Sequence, residues 1–229
     1  MIEAVLEKAT GDTLTERAAM LIEADIVRGT FAPGARLAIA DLAAHYGIGA
    51  TPIREGLSRL VARGLTVAIG QRGFRVSAVS REDLADITRL RSLIECEALR
   101  RSMRGGDGEW EAGIVASLYR LRRYATQNSA GLREGRAEFD ALHKAFHRSL
   151  IAACGSARML SAHSDLYDQA YRYRRVMMRS FQGADRFVEA HEELANLVLG
   201  RRAREASARL AAHLGSTLAL VYPDAGTSE

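Results

Sequence analysis

The sequence is poor in residues that interrupt helices, crosslink chains or span membranes. Only three prolines occur in 229 residues, which favours a largely helical protein. The two cysteines, Cys96 and Cys154, are too few and too far apart for a disulfide framework or a four-cysteine zinc site, so we expect reduced thiols. No apolar run approaches the roughly 18 residues that a membrane span needs. The first residues, M-I-E-A-V-L-E-K, lack a signal-peptide pattern, so we expect a cytoplasmic protein with no membrane partner.

The net charge is also small, because 32 basic residues nearly balance 28 acidic ones and leave a formal charge of +4. The local distribution is more informative. Between residues 51 and 75 the sequence has one acid, Glu55, and five arginines: Arg54, Arg59, Arg63, Arg72 and Arg75. Such a basic strip is typical of contact with phosphate groups. A solvated helix face explains the charge alone equally well, so the choice depends on the fold of this segment.

Three short helices are predicted near the N-terminus. A capping box at Thr13–Glu16 opens the first helix. A second helix covers about residues 39–46 and is followed by a tight break. The third helix is predicted to start with Thr51 as its N-cap and Pro52 at its first position, and to run to about Arg63.

A predicted hairpin follows the third helix. Two extended runs, Thr66–Ile69 and Phe74–Ser77, are joined by G-Q-R-G, which is typical of a hairpin turn. Three helices followed by a hairpin are the plan of a winged helix-turn-helix domain. We therefore predict that residues 1–77 form a DNA-binding domain.

This plan assigns three of the arginines to contact with double-stranded DNA. Arg54 lies in the first turn of the third helix, the end that enters a major groove, where a guanidinium can pair with O6 and N7 of guanine. Arg59 continues the strip on the same helix, and Arg72 lies at the tip of the wing. Because a two-fold protein reads two half-sites, we expect a homodimer on a palindromic operator.

Helical periodicity continues to the end of the sequence, and no strand pattern appears after Ser77. Ser80 begins a capping signal for a helix to about Arg104, with a predicted inner stripe of Leu84, Ile87, Leu90, Ile94 and Ala98. Five further helices are predicted at about residues 109–128, 133–153, 157–180, 184–199 and 202–221. We therefore expect a mostly α protein, in which an all-α bundle of six helices, residues 78–229, follows the winged helix-turn-helix.

Histidines in this second domain have spacings that suit a metal ion. His143 and His147 are four residues apart on a predicted helix, so both imidazoles leave the same face. His191 and His213 lie on helical patterns downstream, and we interpret the domain as a helical shell around these four side chains. A hydrogen-bonded core residue is the alternative for each single histidine. Neither of the other two histidines is expected to bind metal. His45 is expected to pack or to lie near phosphate, and His163 is expected to be structural or exposed.

Several N-terminal segments resemble a known family. F-A-P-G-A-R-L, D-L-A-A-H-Y-G-I, T-P-I-R-E-G-L-S-R-L and G-x-R-G-F-R-V are similar in order and spacing to the N-terminal domain of GntR-type bacterial transcription regulators. The resemblance implies that Arg36 contacts backbone phosphate and that Gly73 approaches the minor groove. It also implies that Thr51 and Arg54 lie in the major groove. The family often has a polar or basic residue where this chain has Gly49-Ala50, so one base contact is expected to be missing.

The C-terminal segments F-H-R-S-L-I-A-A-C-G-S and E-A-H-E-E-L-A-N-L-V-L-G resemble the effector-binding domain of the FadR branch of that family, the FCD type. The resemblance implies a divalent metal at the centre of the bundle, with His147, His191 and His213 at three ligand positions. His143 stands where the family has Asp or Asn. An all-nitrogen ligand set shifts the preference towards zinc or nickel and away from magnesium or calcium.

The resemblance further implies a small organic acid as effector, because an open position on the metal can receive a carboxylate. A second positive group would hold the other end of the acid. Arg91, four residues before Glu95 in an R-x-x-x-E pattern that recurs in the family, is one candidate, and Arg174 is another. Either arginine could instead pair with an acid such as Asp165 or Asp168.

The main hypothesis is therefore a ligand-responsive transcription regulator, expected to be a repressor and not an enzyme. One alternative is a metal-dependent enzyme acting on a carboxylate, since a metal with an open position can activate water. No carboxylate is clearly placed as its general base, because Asp140, three residues before His143, suits a capping role better. A direct metal sensor, in which the ion itself is the signal, is the other alternative.

Overall fold

The computed structural model describes four stretches of the chain: residues 13–70, 73–128, 137–177 and 183–222. The side chains of residues 137 and 174–177 lie outside this description. The chain divides into two compact units, Met1–Val79 and Ser80–Glu229. Among the described residues, strands occur in the first unit alone, and the second unit is helical.

The N-terminal unit combines three helices with a small sheet among its described residues. Its elements in chain order are α1 (Leu14–Val27), β1 (Arg36–Leu37), α2 (Ile39–Tyr46), α3 (Ala50–Ala62), β2 (Thr66–Ala68) and β3 (Phe74–Val76). The sheet is antiparallel with strand order β1-β3-β2, so the hairpin β2-β3 forms the wing. The predicted winged helix-turn-helix plan is confirmed.

Two helix starts can be compared with the sequence predictions. At α1 the capping box is present, because the Thr13 hydroxyl accepts from the Glu16 N–H and the Glu16 carboxylate accepts from the Thr13 N–H. At α3 the prediction is wrong, since the N-cap is Gly49 and the helix starts one residue before Thr51. The first N–H groups of a helix need no intrahelical partner, so Pro52 is tolerated at the third helical position.

Strand β1 was not predicted, because two residues are too few to show alternation. It pairs with β3 in the register Arg36 opposite Arg75 and Leu37 opposite Phe74. Leu37 is buried and Arg36 is exposed. The strand therefore adds one side chain to the core and presents an arginine on the outer face of the sheet.

A close approach of α1 and α3 organises the core of this unit. A Cβ atom added at Gly56 would lie 2.9 Å from the Ala19 backbone nitrogen and 3.2 Å from the Ala18 Cβ. Around this contact, buried apolar side chains come from the helices, the sheet and the turns between them: Ala18, Ile22, Ile26, Leu37, Leu42, Ile48, Ile53, Leu57, Leu60, Leu65, Phe74 and Val76.

The C-terminal unit is a six-helix bundle over its described residues, which confirms the mostly α fold class. The helices are α4 (Arg81–Gly105), α5 (Gly108–Gln127), α6 (Ala137–Leu150), α7 (Ala157–Met177), α8 (Ala184–Leu199) and α9 (Ala203–Val221). Helix α4 packs against α7 and α9, and α5 packs against α6 and α8. Ser80 caps α4 by accepting a hydrogen bond from the Asp83 N–H, as the sequence predicts.

The buried face of α4 departs from the predicted apolar stripe. Leu84 and Ala98 are buried, but Leu90 is 46% exposed. Arg91 and Glu95 take inner positions instead, with exposed fractions of 6% and 1%. Apolar periodicity cannot reveal such positions, because charged residues are buried only when they are paired, as here, where the Arg91 Nε donates to Glu95 Oε1 at 2.7 Å.

We predict that Gly56→Ala lowers the free energy of unfolding by about 1–3 kcal/mol, because the added methyl group overpacks the contact between α1 and α3. Gly113→Ala is the matched control, since Gly113 lies inside α5 and an added Cβ there meets nothing within 4 Å. The control should gain up to about 1 kcal/mol from helix propensity. Thermal unfolding followed by circular dichroism measures both changes, and equal responses of the two variants would contradict the close packing.

Candidate DNA interface and candidate metal centre

The first turns of α3 present an exposed polar face. Thr51 and Arg54 are three residues apart, and both are exposed. The Arg54 guanidinium forms no hydrogen bond or ion pair with another residue in the described part of the chain. Its carbonyl accepts the Ser58 hydroxyl at 3.0 Å, which leaves the side chain unaffected. The guanidinium is therefore available for a base edge or a phosphate.

The other charged side chains of α3, together with Arg63 at its C-cap, contact α1. Three contacts join the helices: Glu55 with Thr15 at 2.6 Å, Arg59 with Glu16 at 3.3 Å, and Arg63 with Glu23. The single acid of the basic strip, Glu55, thus bonds to α1 and forms no ion pair with Arg54. Arg59 and Glu16 are 53% and 41% exposed, and an exposed ion pair contributes only about 0–1 kcal/mol. Arg59 can therefore exchange Glu16 for a DNA phosphate at little cost.

The wing places Gly73 in a backbone conformation that favours glycine. Its φ is +97°, and its carbonyl accepts a hydrogen bond from the Ile69 N–H at 2.8 Å, which closes the hairpin turn. Arg36 and Arg75 are exposed on the sheet next to this turn. Arg72, predicted at the wing tip, lies outside the described residues.

Four histidines converge inside the second unit. Helix α6 contributes His143 and His147, α8 contributes His191, and α9 contributes His213. Each ring offers one nitrogen as a possible metal ligand, and these four nitrogens all lie within 4.8 Å of one another. The first three side chains are buried and His213 is partly buried. The structure thus brings together all four histidines that the sequence singles out.

Two of the four rings, those of His143 and His191, are oriented by a contact at Nδ1. His191 Nδ1 donates to the Phe187 carbonyl at 2.6 Å, so the neutral ring carries its lone pair on Nε2. His143 Nδ1 lies 3.1 Å from the Tyr167 hydroxyl. His143 Nε2 lies 3.0 Å from both the His191 Nε2 and the His147 Nε2. One Nε2 atom has either one hydrogen or one lone pair, so it cannot serve both contacts as two well-formed hydrogen bonds.

Burial and the neighbouring His213 and His191 hold the pKa of His147 well below its ordinary value. The ring is therefore neutral at neutral pH, which is the form that binds a metal ion. The Nδ1 of His147 is buried and has no hydrogen-bond partner among the described residues. Its ring stacks on that of His213, with centroids 5.0 Å apart.

A buried charged group lies beside the histidine cluster. Arg91 lies over the Tyr167 ring, with its central carbon 5.2 Å from the ring centroid. Glu95 Oε1 is 2.7 Å from the Arg91 Nε and 3.2 Å from His163 Nδ1. Burial alone would raise the pKa of Glu95, but Arg91 and His163 outweigh it and hold that pKa below its usual value. Arg91 is thus a fixed cation near the candidate metal centre, whereas the side chain of Arg174 lies outside the described residues.

Tyr167 is a site residue that the sequence analysis missed. Its hydroxyl contacts His143, and its ring lies under both Arg91 and Lys144. The available signal was the four-residue spacing of His163, Tyr167 and Tyr171 along α7, which puts three ring side chains on one buried face. His163 is structural rather than exposed, since it is 1% exposed.

The fold and these sites define a class of protein: a transcription regulator with a winged helix-turn-helix DNA-binding domain and a helical C-terminal domain. Residues 14–76 match the model for "Bacterial regulatory proteins, gntR family", and residues 86–216 match the FCD domain. The chain belongs to the GntR family. It is accordingly a DNA-binding transcription regulator and not an enzyme. No helix in the described part of the chain combines the length and apolar character needed to cross a membrane.

Individual relatives agree with this family. The chain is 37% identical over 209 residues to an uncharacterised HTH-type transcriptional regulator, BphR, of Paraburkholderia xenovorans, covering 91% of this chain and 85% of the relative. It is 33% identical over 202 residues to the HTH-type transcriptional repressor GlaR of Escherichia coli, covering 86% and 90%. The solved structure of E. coli McbR/YncC is similar in fold, with a TM-score of 0.76, 20% identity, and 92% and 98% of the two chains covered.

We predict that Arg54→Ala weakens binding to an operator selected from random duplexes by about 1–3 kcal/mol, because a guanidinium in the groove is lost. Titration at fixed salt measures the change. Arg89→Ala, which removes an exposed arginine of α4, controls for the change in net charge. Unchanged affinity of the Arg54 variant would show that the start of α3 does not read the operator.

Proposed function

We propose that the protein is a cytoplasmic repressor that binds a palindromic operator as a homodimer and responds to a small organic acid held at a zinc or nickel ion. The observation that carries this proposal is the convergence of His143, His147, His191 and His213 in the helical unit. The name of GlaR as a repressor supports the sign of the regulation.

The donor set fits a divalent metal. Four imidazole nitrogens that lie within 4.8 Å of one another could hold such an ion, and a coordination position that they leave open would receive the acid. Four neutral nitrogens compensate none of the ion's charge, which favours an anion at an open position. The nitrogen set also favours zinc or nickel over magnesium or calcium.

Arg91 is the residue that we propose to hold the far end of such an acid. Its Nε donates to Glu95, and its terminal nitrogens make no hydrogen bond with another described residue. A guanidinium that is held through its Nε in this way can still donate two parallel hydrogen bonds from its terminal nitrogens to a carboxylate. Arg174, on α7, stays a proposed second contact because of its position seven residues after Tyr167.

Helix α7 offers a route from this site towards the DNA-binding domain. Tyr167 contacts the metal-ligand candidate His143. Six residues further on, the Tyr173 hydroxyl donates to the Asp83 carboxylate and accepts from the Ser80 N–H at 3.1 Å. Burial and the bond to Asp83 raise the pKa of Tyr173, so its hydroxyl remains a donor. The first turn of α4, where the chain arrives from the wing, is thus attached to the helix that contacts the histidine cluster.

The proposed homodimer has support from α4. Leu93 is 71% exposed and Leu90 is 46% exposed, and they lie three residues apart on one face of the helix. Apolar side chains in such positions are commonly covered by a partner. A second copy of the chain also matches the two half-sites of a palindromic operator.

We predict that a few mono- or dicarboxylates raise the unfolding midpoint of the zinc-loaded protein, and that prior chelation abolishes the shift. Ligand at a hundredfold excess over Kd adds about 2.7 kcal/mol of stability. Arg91→Lys keeps a cation beside Glu95 but loses the fork, so it should bind metal normally and the acid about tenfold more weakly. His143→Ala should lose the metal, as measured by elemental analysis.

The contrary outcome of that screen is also informative. Stabilisation by zinc or nickel alone, with no acid adding to it, would replace the acid-responsive regulator by a direct metal sensor or a structural ion. A protein that consumes the acid rather than returning it unchanged would contradict the regulatory role of the site.

We further predict that Tyr173→Phe abolishes the coupling between acid binding and operator binding. The wild-type acid and operator should oppose each other by about 1–3 kcal/mol. The variant should bind the acid with unchanged affinity, but the acid should no longer change its operator affinity, because the bonds to Ser80 and Asp83 are lost. Tyr119→Phe, at a half-exposed tyrosine of α5, is the control. Full coupling in the Tyr173 variant would rule out this route.

A further inference from the structure

Two arginines face each other across the wing sheet. Arg36 on β1 and Arg75 on β3 are register partners in an antiparallel pair, and both are exposed. Directly opposed residues of such a pair have Cα atoms about 4.5–5.5 Å apart and side chains on the same face. The two guanidinium groups therefore start from neighbouring points on the outer surface of the sheet.

Like charges in this arrangement repel, and no described acid compensates them. Directly opposed like charges destabilise a sheet, yet neither arginine forms an ion pair with a carboxylate in the described part of the chain. Arg75 instead donates from Nη1 to the Gly34 carbonyl at 2.9 Å, which turns its side chain towards the segment preceding Arg36. On α3, by contrast, Arg59 has the intramolecular partner Glu16.

A small pocket includes both arginines in its lining. It has a volume of about 210 Å³ and is lined by Arg36, Ile69, Phe74 and Arg75. Two of these lining residues are apolar and two are arginines. The pocket thus has the chemistry of a site for one compact anion, and the wing of a DNA-binding protein meets such anions as backbone phosphates.

We propose that Arg36 and Arg75 together bind one phosphate of the DNA backbone. The family resemblance assigns Arg36 alone to phosphate, whereas the register adds Arg75 as a second donor to the same group. Two positive side chains that repel in the free protein gain a shared anion on binding. The contact is independent of base sequence, because both donors recognise phosphate oxygens.

The test needs no operator, since phosphate contacts also act on non-specific DNA. The full chain is titrated with a labelled duplex of mixed sequence over a series of salt concentrations. Arg36→Ala and Arg75→Ala should each weaken binding roughly tenfold at low salt. The double variant should weaken it much less than the product of the two factors. Its slope of log K against log salt should fall by about 0.9, the value for one phosphate, rather than about 1.8.

Arg120→Ala is the matched control. Arg120 is an exposed arginine of α5 whose Nε also donates to a backbone carbonyl, that of Ala116 at 3.2 Å, and its removal should leave affinity and slope unchanged. Multiplicative single effects with a slope loss of about 1.8 would mean two separate phosphates and overturn the shared site. Unchanged binding of the Arg75 variant would overturn the role of Arg75. Circular dichroism of each variant separates both results from misfolding.

Discussion

The crowding of imidazole nitrogens inside the helical unit is the constraint on which the proposed regulation depends. Buried polar atoms are normally paired one to one, yet a single His143 nitrogen lies 3.0 Å from two others. A divalent cation among the four rings would accept one lone pair from each of them. Three helices supply the rings, so an ion bound there would join α6, α8 and α9.

Helix α7 connects the histidine cluster to polar groups elsewhere in the bundle. Tyr167 contacts His143 through its hydroxyl and packs under Arg91 through its ring. Asp168 accepts a hydrogen bond from the Lys144 ammonium at 2.6 Å, and Tyr173 donates one to Asp83 at the start of α4. A change in the position of the acid or the metal would therefore reach the N-terminal turn of α4 through one helix. The DNA-binding domain is joined to that turn by the chain itself.

Sequence reasoning recovered the features that depend on local periodicity. The helices, the hairpin and the capping signals at Thr13 and Ser80 follow from spacing within a few residues. Interactions between distant segments were missed for a physical reason. Strand β1 is too short to show alternation, and the spacing of His163, Tyr167 and Tyr171 indicates a shared buried face but not the contact of Tyr167 with His143. The predicted apolar stripe on α4 was wrong because the paired residues Arg91 and Glu95 occupy buried positions. A pattern of apolar residues does not include charged residues, so it misses such positions.

The four histidines illustrate the limit of the same reasoning. The pair on α6 follows from four-residue spacing, whereas His191 and His213 could be added only through resemblance to a family. The structure brings one nitrogen of each ring to within 4.8 Å of the others, a proximity that spacing in the sequence does not show. X-ray absorption at the metal edge of the zinc- or nickel-loaded protein tests whether these four histidines bind the ion. We predict four imidazole nitrogens at about 2.1 Å, with oxygen scatterers that change when a stabilising acid is added. A shell with two or fewer imidazoles would contradict it.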